Sequence, residues 1–133
     1  MTEPSGTSRT VRRGTPDQRL TRNQRLIRPD HFREAYEQGD RWAGTYMILW
    51  LRRGKGADLR LGVVASRRVG GAVARAKARR KLREAYRQNR HGFHGDVDVV
   101  LVARRNILRV DHRTVTSELL ALAERSGLLR KGT

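Results

Sequence analysis

Residues 59–90 read LRLGVVASRRVGGAVARAKARRKLREAYRQNR, and the fold follows from how this stretch divides. LRLGVVAS, 59–66, is aliphatic and β-branched and predicts a strand, with Gly62 placed for a bulge or a close backbone approach. Ser66, Gly70 and Gly71 then turn the chain. From Arg75 to Arg90 neither Pro nor Gly interrupts a run of good helix formers. Wound at about 100° per residue, Ala74, Ala78, Leu82 and Ala85 form one narrow apolar stripe with Tyr86 at its edge. Eight of these sixteen residues are basic and only Glu84 is acidic. The seam docks on a core and leaves a broad cationic face outside. Like charges at Arg75, Arg79, Arg83 and Arg87 repel at i, i+4 by about a few tenths of a kcal/mol per pair. A helix built this way wants an external polyanion. A merely solvated face mixes signs, and a membrane-surface helix sets bulky apolar groups opposite its charge, whereas this seam is mostly Ala.

Outward from this centre, HGFHG (91–95) breaks the helix and DVDVVLVA (96–103) is a β-branched strand of the buried type. Strand, helix and strand at this spacing predict a parallel pair joined by a crossover. Upstream, GTYMILWLR (44–52) is a strand apolar on both faces, and RRGKGAD (52–58) is a turn that makes 44–52 and 59–66 a hairpin. Pro29-Asp30 opens a helix over 30–38, with Asp30 as N-cap, Gly39 as stop, and Phe32, Ala35 and Tyr36 as its apolar face. Asp111 or Thr114 caps a last helix that buries Val115, Leu119, Leu122 and Ala123 and ends near Ser126. One folded α/β domain, 25–127, results. Residues 1–24 have few aliphatic groups and read as a disordered basic arm that either adds nonspecific RNA affinity or is inert. Residues 128–133 read as a frayed basic end.

The 30 Lys and Arg against 13 Asp and Glu give the 133 residues a formal charge of +17, the footprint of a nucleic-acid partner. The chain has no cysteine, which excludes disulfides, thiolate zinc sites and cysteine nucleophiles. No apolar run approaches the roughly 18–20 residues that span a bilayer, and no apolar signal core opens the sequence. These features predict a cytoplasmic protein with no membrane partner.

Protein-borne catalysis finds little support. His91 and His94 sit in one short loop without Cys or clustered carboxylates, so no metal site is expected. Asp96 and Asp98 share one side of a strand start and read as a polar edge. Ser66–Gly71 offers backbone amides to a phosphate but lacks the spacing of a nucleotide-binding loop, so no small-molecule cofactor is expected.

Residues 59–87 resemble the signature region of the bacterial ribonuclease P protein component. The matching positions are Ser66, Arg67, Arg68, Val69, Gly70, Ala72, Val73, Arg75, Ala76, Lys77, Arg79, Arg80, Arg83 and Glu84, and Leu26, Phe32, Tyr36 and Gly39 match the family's N-terminal spacing. Two positions depart: the family's Asn is Ala76 and the next Arg is Lys77, which keeps the charge but not the planar fork. The resemblance implies an α+β sandwich of order α-β-β-β-α-β-α with a left-handed βαβ crossover. It implies a subunit that binds the catalytic RNA of ribonuclease P and the 5′ leader of precursor tRNA, with Mg2+ and the hydrolysis belonging to the RNA and no catalytic residue in the protein. It places Arg67, Arg68, Arg75, Lys77, Arg79, Arg80, Arg83 and Arg87 against the RNA subunit, and Phe32, Tyr36, Trp50 and Ser66 in the leader cleft. A basic ribosomal protein of similar fold would share the charge but lack the aromatic cleft. A DNA-binding module would want Asn, Gln or Ser among its arginines, and residues 75–87 offer none.

Overall fold

The computed structural model describes residues 20–129. The elements in order are α1 (Pro29–Gln38), β1 (Arg41–Ala43), β2 (Met47–Arg53), β3 (Leu61–Ala65), α2 (Ala72–Asn89), β4 (Val97–Ala103) and α3 (His112–Ser126). Short 3-10 turns lie at Arg22–Gln24, Arg90–Gly92 and Arg105–Arg109. The α-β-β-β-α-β-α order is the expected one. No helix among the described residues is long and apolar enough to cross a membrane.

The four strands stand in the order β1-β2-β4-β3. β4 occupies the middle because it has almost no side that tolerates water: all of its residues except Val102 are buried. It pairs antiparallel with β2, Met47 opposite Ala103 and Arg53 opposite Val97. On its other side it pairs parallel with β3, Leu61 opposite Val99 and Ala65 opposite Ala103, and α2 makes the crossover. The expected hairpin of 44–52 with 59–66 is therefore wrong, since β4 is inserted between its members. The 52–58 turn reverses the chain, but a strand buried at nearly every position wins the central place over the glycine-bearing, partly exposed β3. The short strand β1, which periodicity does not reveal, pairs with β2 through Arg41 opposite Trp50 and Ala43 opposite Ile48.

Met47, Leu49, Leu51, Leu61, Val99, Leu101 and Ala103 share the core with Ala78, Leu82, Ala85 and Tyr86 of α2 and Val115, Leu119, Leu122 and Ala123 of α3. Each fully buried Leu or Val contributes about 1.5–3 kcal/mol, so this side holds the domain together. The predicted seams of both helices are the buried ones, apart from half-buried Ala74. The opposite face carries a second, smaller cluster in which Leu26, Ala35 and Val100 are buried and Phe32, Trp50, Val64 and Val102 half-buried.

The ends differ from expectation. Leu20 is only 8% exposed and belongs to the main core, and Arg22–Gln24 form a turn closed by the Gln24 amide bonding the Thr21 carbonyl at 3.0 Å. The folded unit thus begins before residue 25; the rest of the expected arm lies outside the described residues. Leu128 is buried and Leu129 bridges to Phe93, so the C-terminal segment packs at least that far, and 130–133 lie outside the description. Arg28 holds the N-cap position of α1 without a side-chain capping bond, Pro29 follows in the first turn, and Asp30 accepts from Arg28 at 2.8 Å instead of capping. Asp111 does cap α3, accepting the Thr114 amide at 3.0 Å.

Candidate nucleic-acid interface

The second sheet face is where the fold leaves room. Strand register sets Trp50 beside Val100 and Gly62, and the next row along sets Ile48 beside Val102 and Val64. α1 covers the first row. Its Phe32 ring lies so close to Gly62 that a β-carbon there would fall 2.5 Å from the ring, the close approach anticipated for this glycine. Tyr36 meets Trp50 edge-on at 5.0 Å between centroids, and the Arg41 guanidinium sits 5.6 Å over the Trp50 ring. Tyr36 is 39% exposed and is the most open of the three aromatic candidates; Phe32 and Trp50 are half-buried.

No residue of α1 lines the cleft at the second row. This cleft of about 580 Å3 has Ile48, Val102 and Ala103 among its apolar lining and Thr45, Ser66, Arg68, Arg104, Arg105, Asn106 and Arg109 around them. Of these only Ser66 and Arg68 were singled out from sequence. Arg104, Arg105 and Arg109 follow β4 directly, and the Arg pair closing a buried strand was the available signal. Arg104 is already tied, its Nη1 donating to the Gly44 carbonyl at 2.9 Å.

The loop 66–71 leads from this cleft into α2. It is tighter than a flexible turn: the amides of Val69 and Gly70 bond the carbonyls of Ser66 and Arg67 at 3.1 Å, and the Arg68 amide reaches Ser66 Oγ at 3.3 Å. Gly70 has φ +146°, and a β-carbon there would fall 2.7 Å from that of Ala74. These amides are therefore spent on the turn, and any phosphate here meets the exposed side chains of Arg67 and Arg68 instead.

Along α2 the arginines are not equivalent. Lys77 and Arg80 are exposed, and Arg79 is half-buried. Arg83 is half-buried, and burial followed by the nearby charges of Arg25, Arg79 and Arg80 pushes its guanidinium below the ordinary value, with only Glu84 opposing. Arg25 comes from the chain before α1, which bridges to Leu61 at the sheet edge. Its sequence neighbours gave no hint of this placement. Four cations thus gather around one carboxylate, Glu84. Arg87, by contrast, is paired with Glu84. Lys81 serves the fold, its Nζ donating to the Val110 carbonyl at 2.7 Å. Arg75 Nε is buried with no hydrogen-bond partner.

Asp98 is no polar edge. It is 0% exposed and accepts from Arg52 Nη1 at 2.7 Å, Arg60 Nη2 at 2.8 Å and Arg60 Nε at 3.0 Å, and from the amides of Asp58 and Arg60 at 3.1 Å. Burial alone would push this carboxyl up; the bonds from Arg60, the Asp58 amide and Arg52 outweigh it and hold it below the usual range. Among the described residues no group of three or more His, Asp and Glu could hold a metal ion.

The family model for ribonuclease P matches residues 20–127. The ribonuclease P protein component of Chloroflexus aurantiacus is 44% identical over 68 residues, and that match spans 51% of this chain and only 50% of the relative. That of Desulfovibrio desulfuricans is 34% identical over 110 residues, spanning 80% of this chain and 85% of the relative. Among solved structures, the ribonuclease P protein of Thermotoga maritima superposes with a TM-score of 0.67 at 30% identity, over 76% of this chain and 96% of that one. That of Staphylococcus aureus gives 0.70 at 21% identity over 80% and 98%, a likeness of fold.

Proposed function

Since the chain belongs to the ribonuclease P protein family, we propose that it is the protein subunit of a tRNA-processing ribonucleoprotein endoribonuclease, acting in the cytoplasm. Its partners are the catalytic RNA and precursor tRNA, whose 5′ leader it helps to remove. The RNA with its Mg2+ supplies the hydrolysis, and the protein supplies charge and position. The observation that carries this reading is the continuity between two different surfaces: Ser66 and Arg68 line the apolar-floored cleft, and four residues on, the chain enters the basic helix.

The two surfaces suit two kinds of RNA. Folded RNA presents phosphates, which Arg67, Arg68, Lys77, Arg79, Arg80 and Arg83 neutralise with release of counterions. Arg75 and Arg87 flank them, the second through a charge already shared with Glu84. A single-stranded leader presents unpaired bases, which stack on aromatic faces for about 1–3 kcal/mol each with little sequence demand. Tyr36 has the free surface for this; Phe32 and Trp50 build the wall behind it, and Ser66 with Arg68 borders the strand's path. Arg104, Arg105 and Arg109 extend the cationic rim on the far side. At Ala76 the family's amide has no replacement at that position, and Arg25 brings an added cation to the same cluster.

The test is reconstitution with a bacterial ribonuclease P RNA at low magnesium, following cleavage of a 5′-extended precursor tRNA. Wild-type protein stimulates cleavage; Arg80→Ala weakens binding of the RNA subunit, and Tyr36→Ala weakens binding of leader-bearing substrate only. Tight RNA binding without stimulation would favour a ribosomal RNA-binding role.

A further inference from the structure

α1 carries two stripes toward the sheet, and only one of them is apolar. Phe32, Ala35 and Tyr36 supply the burial. Beside them His31, Glu34 and Gln38 recur at i, i+3 and i+7, a helical face, and each meets a different arginine on or just before a strand. His31 Nδ1 lies 3.5 Å from Arg60 Nη2. Glu34 Oε1 accepts from Arg52 Nε at 2.6 Å. The Gln38 amide takes both backbone groups of Arg53, donating to its carbonyl at 2.6 Å and accepting its N–H at 2.7 Å. Arg52 and Arg60 in turn converge on Asp98. The helix is thereby tied to β2, to β4 and to the residue that enters β3.

Apolar contact is non-directional, and a helix held by Phe32, Ala35 and Tyr36 alone could roll or slide on the sheet. Hydrogen bonds with fixed angles remove that freedom. A buried ion network is also a poor investment in stability compared with apolar residues of the same volume, so its presence under this particular helix calls for a positional reason. The aromatic surface beside the cleft depends on that position, because Tyr36 stands on α1 while Trp50, which it meets edge-on at 5.0 Å, stands on the sheet.

We infer that His31, Glu34 and Gln38 form a positioning rail that fixes the height and roll of α1 over the sheet, and so sets where Tyr36 stands against Trp50 to receive a single-stranded nucleic acid that runs on into the cleft. They are positioning residues that act through Phe32 and Tyr36. This rests on the cleft being the leader site.

The experiment uses the reconstituted holoenzyme with Glu34→Gln, Gln38→Ala and the double variant. These are milder than Asp98→Asn, because the Glu34 side chain is 44% exposed and Arg52 keeps its bond to Asp98. Dissociation constants are measured for a precursor tRNA with an extended leader and for the same tRNA without one, together with the single-turnover rate at saturating holoenzyme. The double variant is expected to lose about fivefold to tenfold of leader-dependent affinity, with leaderless binding and the saturating rate unchanged. Leader discrimination equal to wild type, or an equal loss for both substrates, overturns the rail. A wild-type holoenzyme that shows no leader discrimination overturns the cleft reading itself, and the rail with it.

Discussion

The Phe32 ring and the α-carbon of Gly62 touch with no room for a methyl group between them, since a β-carbon would fall 2.5 Å from both Cε1 and Cζ. This contact seats α1 on β3. Gly62→Ala should cost about 1–3 kcal/mol in denaturant unfolding, the usual penalty of overpacking. Because the clash is with one ring, Phe32→Leu should recover part of the loss. A double-mutant cycle showing strict additivity would mean that the two residues do not bear on each other.

The basic helix should show unequal arginines. Arg80→Ala and Lys77→Ala remove exposed cations, and each should lower affinity for ribonuclease P RNA while reducing the slope of log affinity against log salt by about 0.7–0.9. Arg87→Ala removes a charge that Glu84 already shares, so its slope change should be smaller. Equal slopes for all three would show that local pairing does not grade these contacts.

Acid should lower the stability of the domain over two pH ranges. His31 is only 7% exposed, and its imidazolium is disfavoured first by burial and then by the charges of Arg52 and Arg60. The unfolded chain takes up this proton near pH 6.5, the ordinary value, and the folded chain only at lower pH. Stability therefore falls as pH drops through about 6.5 toward the folded value. Asp98, held below its ordinary range, contributes stability that is full above about pH 4 and is lost as pH falls through its folded value. In urea titrations from pH 8 to 3, His31→Gln should flatten the first limb and leave the second. An unchanged first limb would remove His31 from the account.

The two helices with one-sided patterns, and the β-branched central strand, were legible because period and composition state burial directly. Strand order was not. Residues 52–58 announce a turn, but no local signal tells whether its strands pair or admit a third between them, and that choice depends on Val97–Ala103, more than thirty residues away. The candidate RNA face was legible as charge along 75–90. Its internal grading was not, because Arg25 approaches Arg83 only through the fold and Glu84 engages Arg87 by rotamer. Asp98 misled for a similar reason: beside Asp96 it looks like a polar strand end, and its partners are Arg52 of β2 and Arg60 just before β3.

The turn that brings β1 onto β2 hangs on one carboxylate. Glu118 of α3 accepts the amides of Thr45 at 2.6 Å, Tyr46 at 2.8 Å and Met47 at 3.0 Å. Three donors aimed at one anion are charge-assisted bonds, shorter and stronger than neutral ones. Glu118→Gln keeps the size but replaces one acceptor oxygen by a donor that faces N–H groups, so bonds are lost and a repulsive contact is gained. The expected cost is about 1.5–3 kcal/mol in global stability, with faster amide hydrogen exchange at residues 45–47. The substitution lies on the side of the sheet away from α1 and far along the chain from the basic helix, so leader discrimination in a reconstituted holoenzyme should stay at the wild-type value in conditions where the variant is folded. A selective loss of leader binding in Glu118→Gln would mean that the 44–47 turn, whose Thr45 lines the cleft, helps to shape the site as well as the sheet.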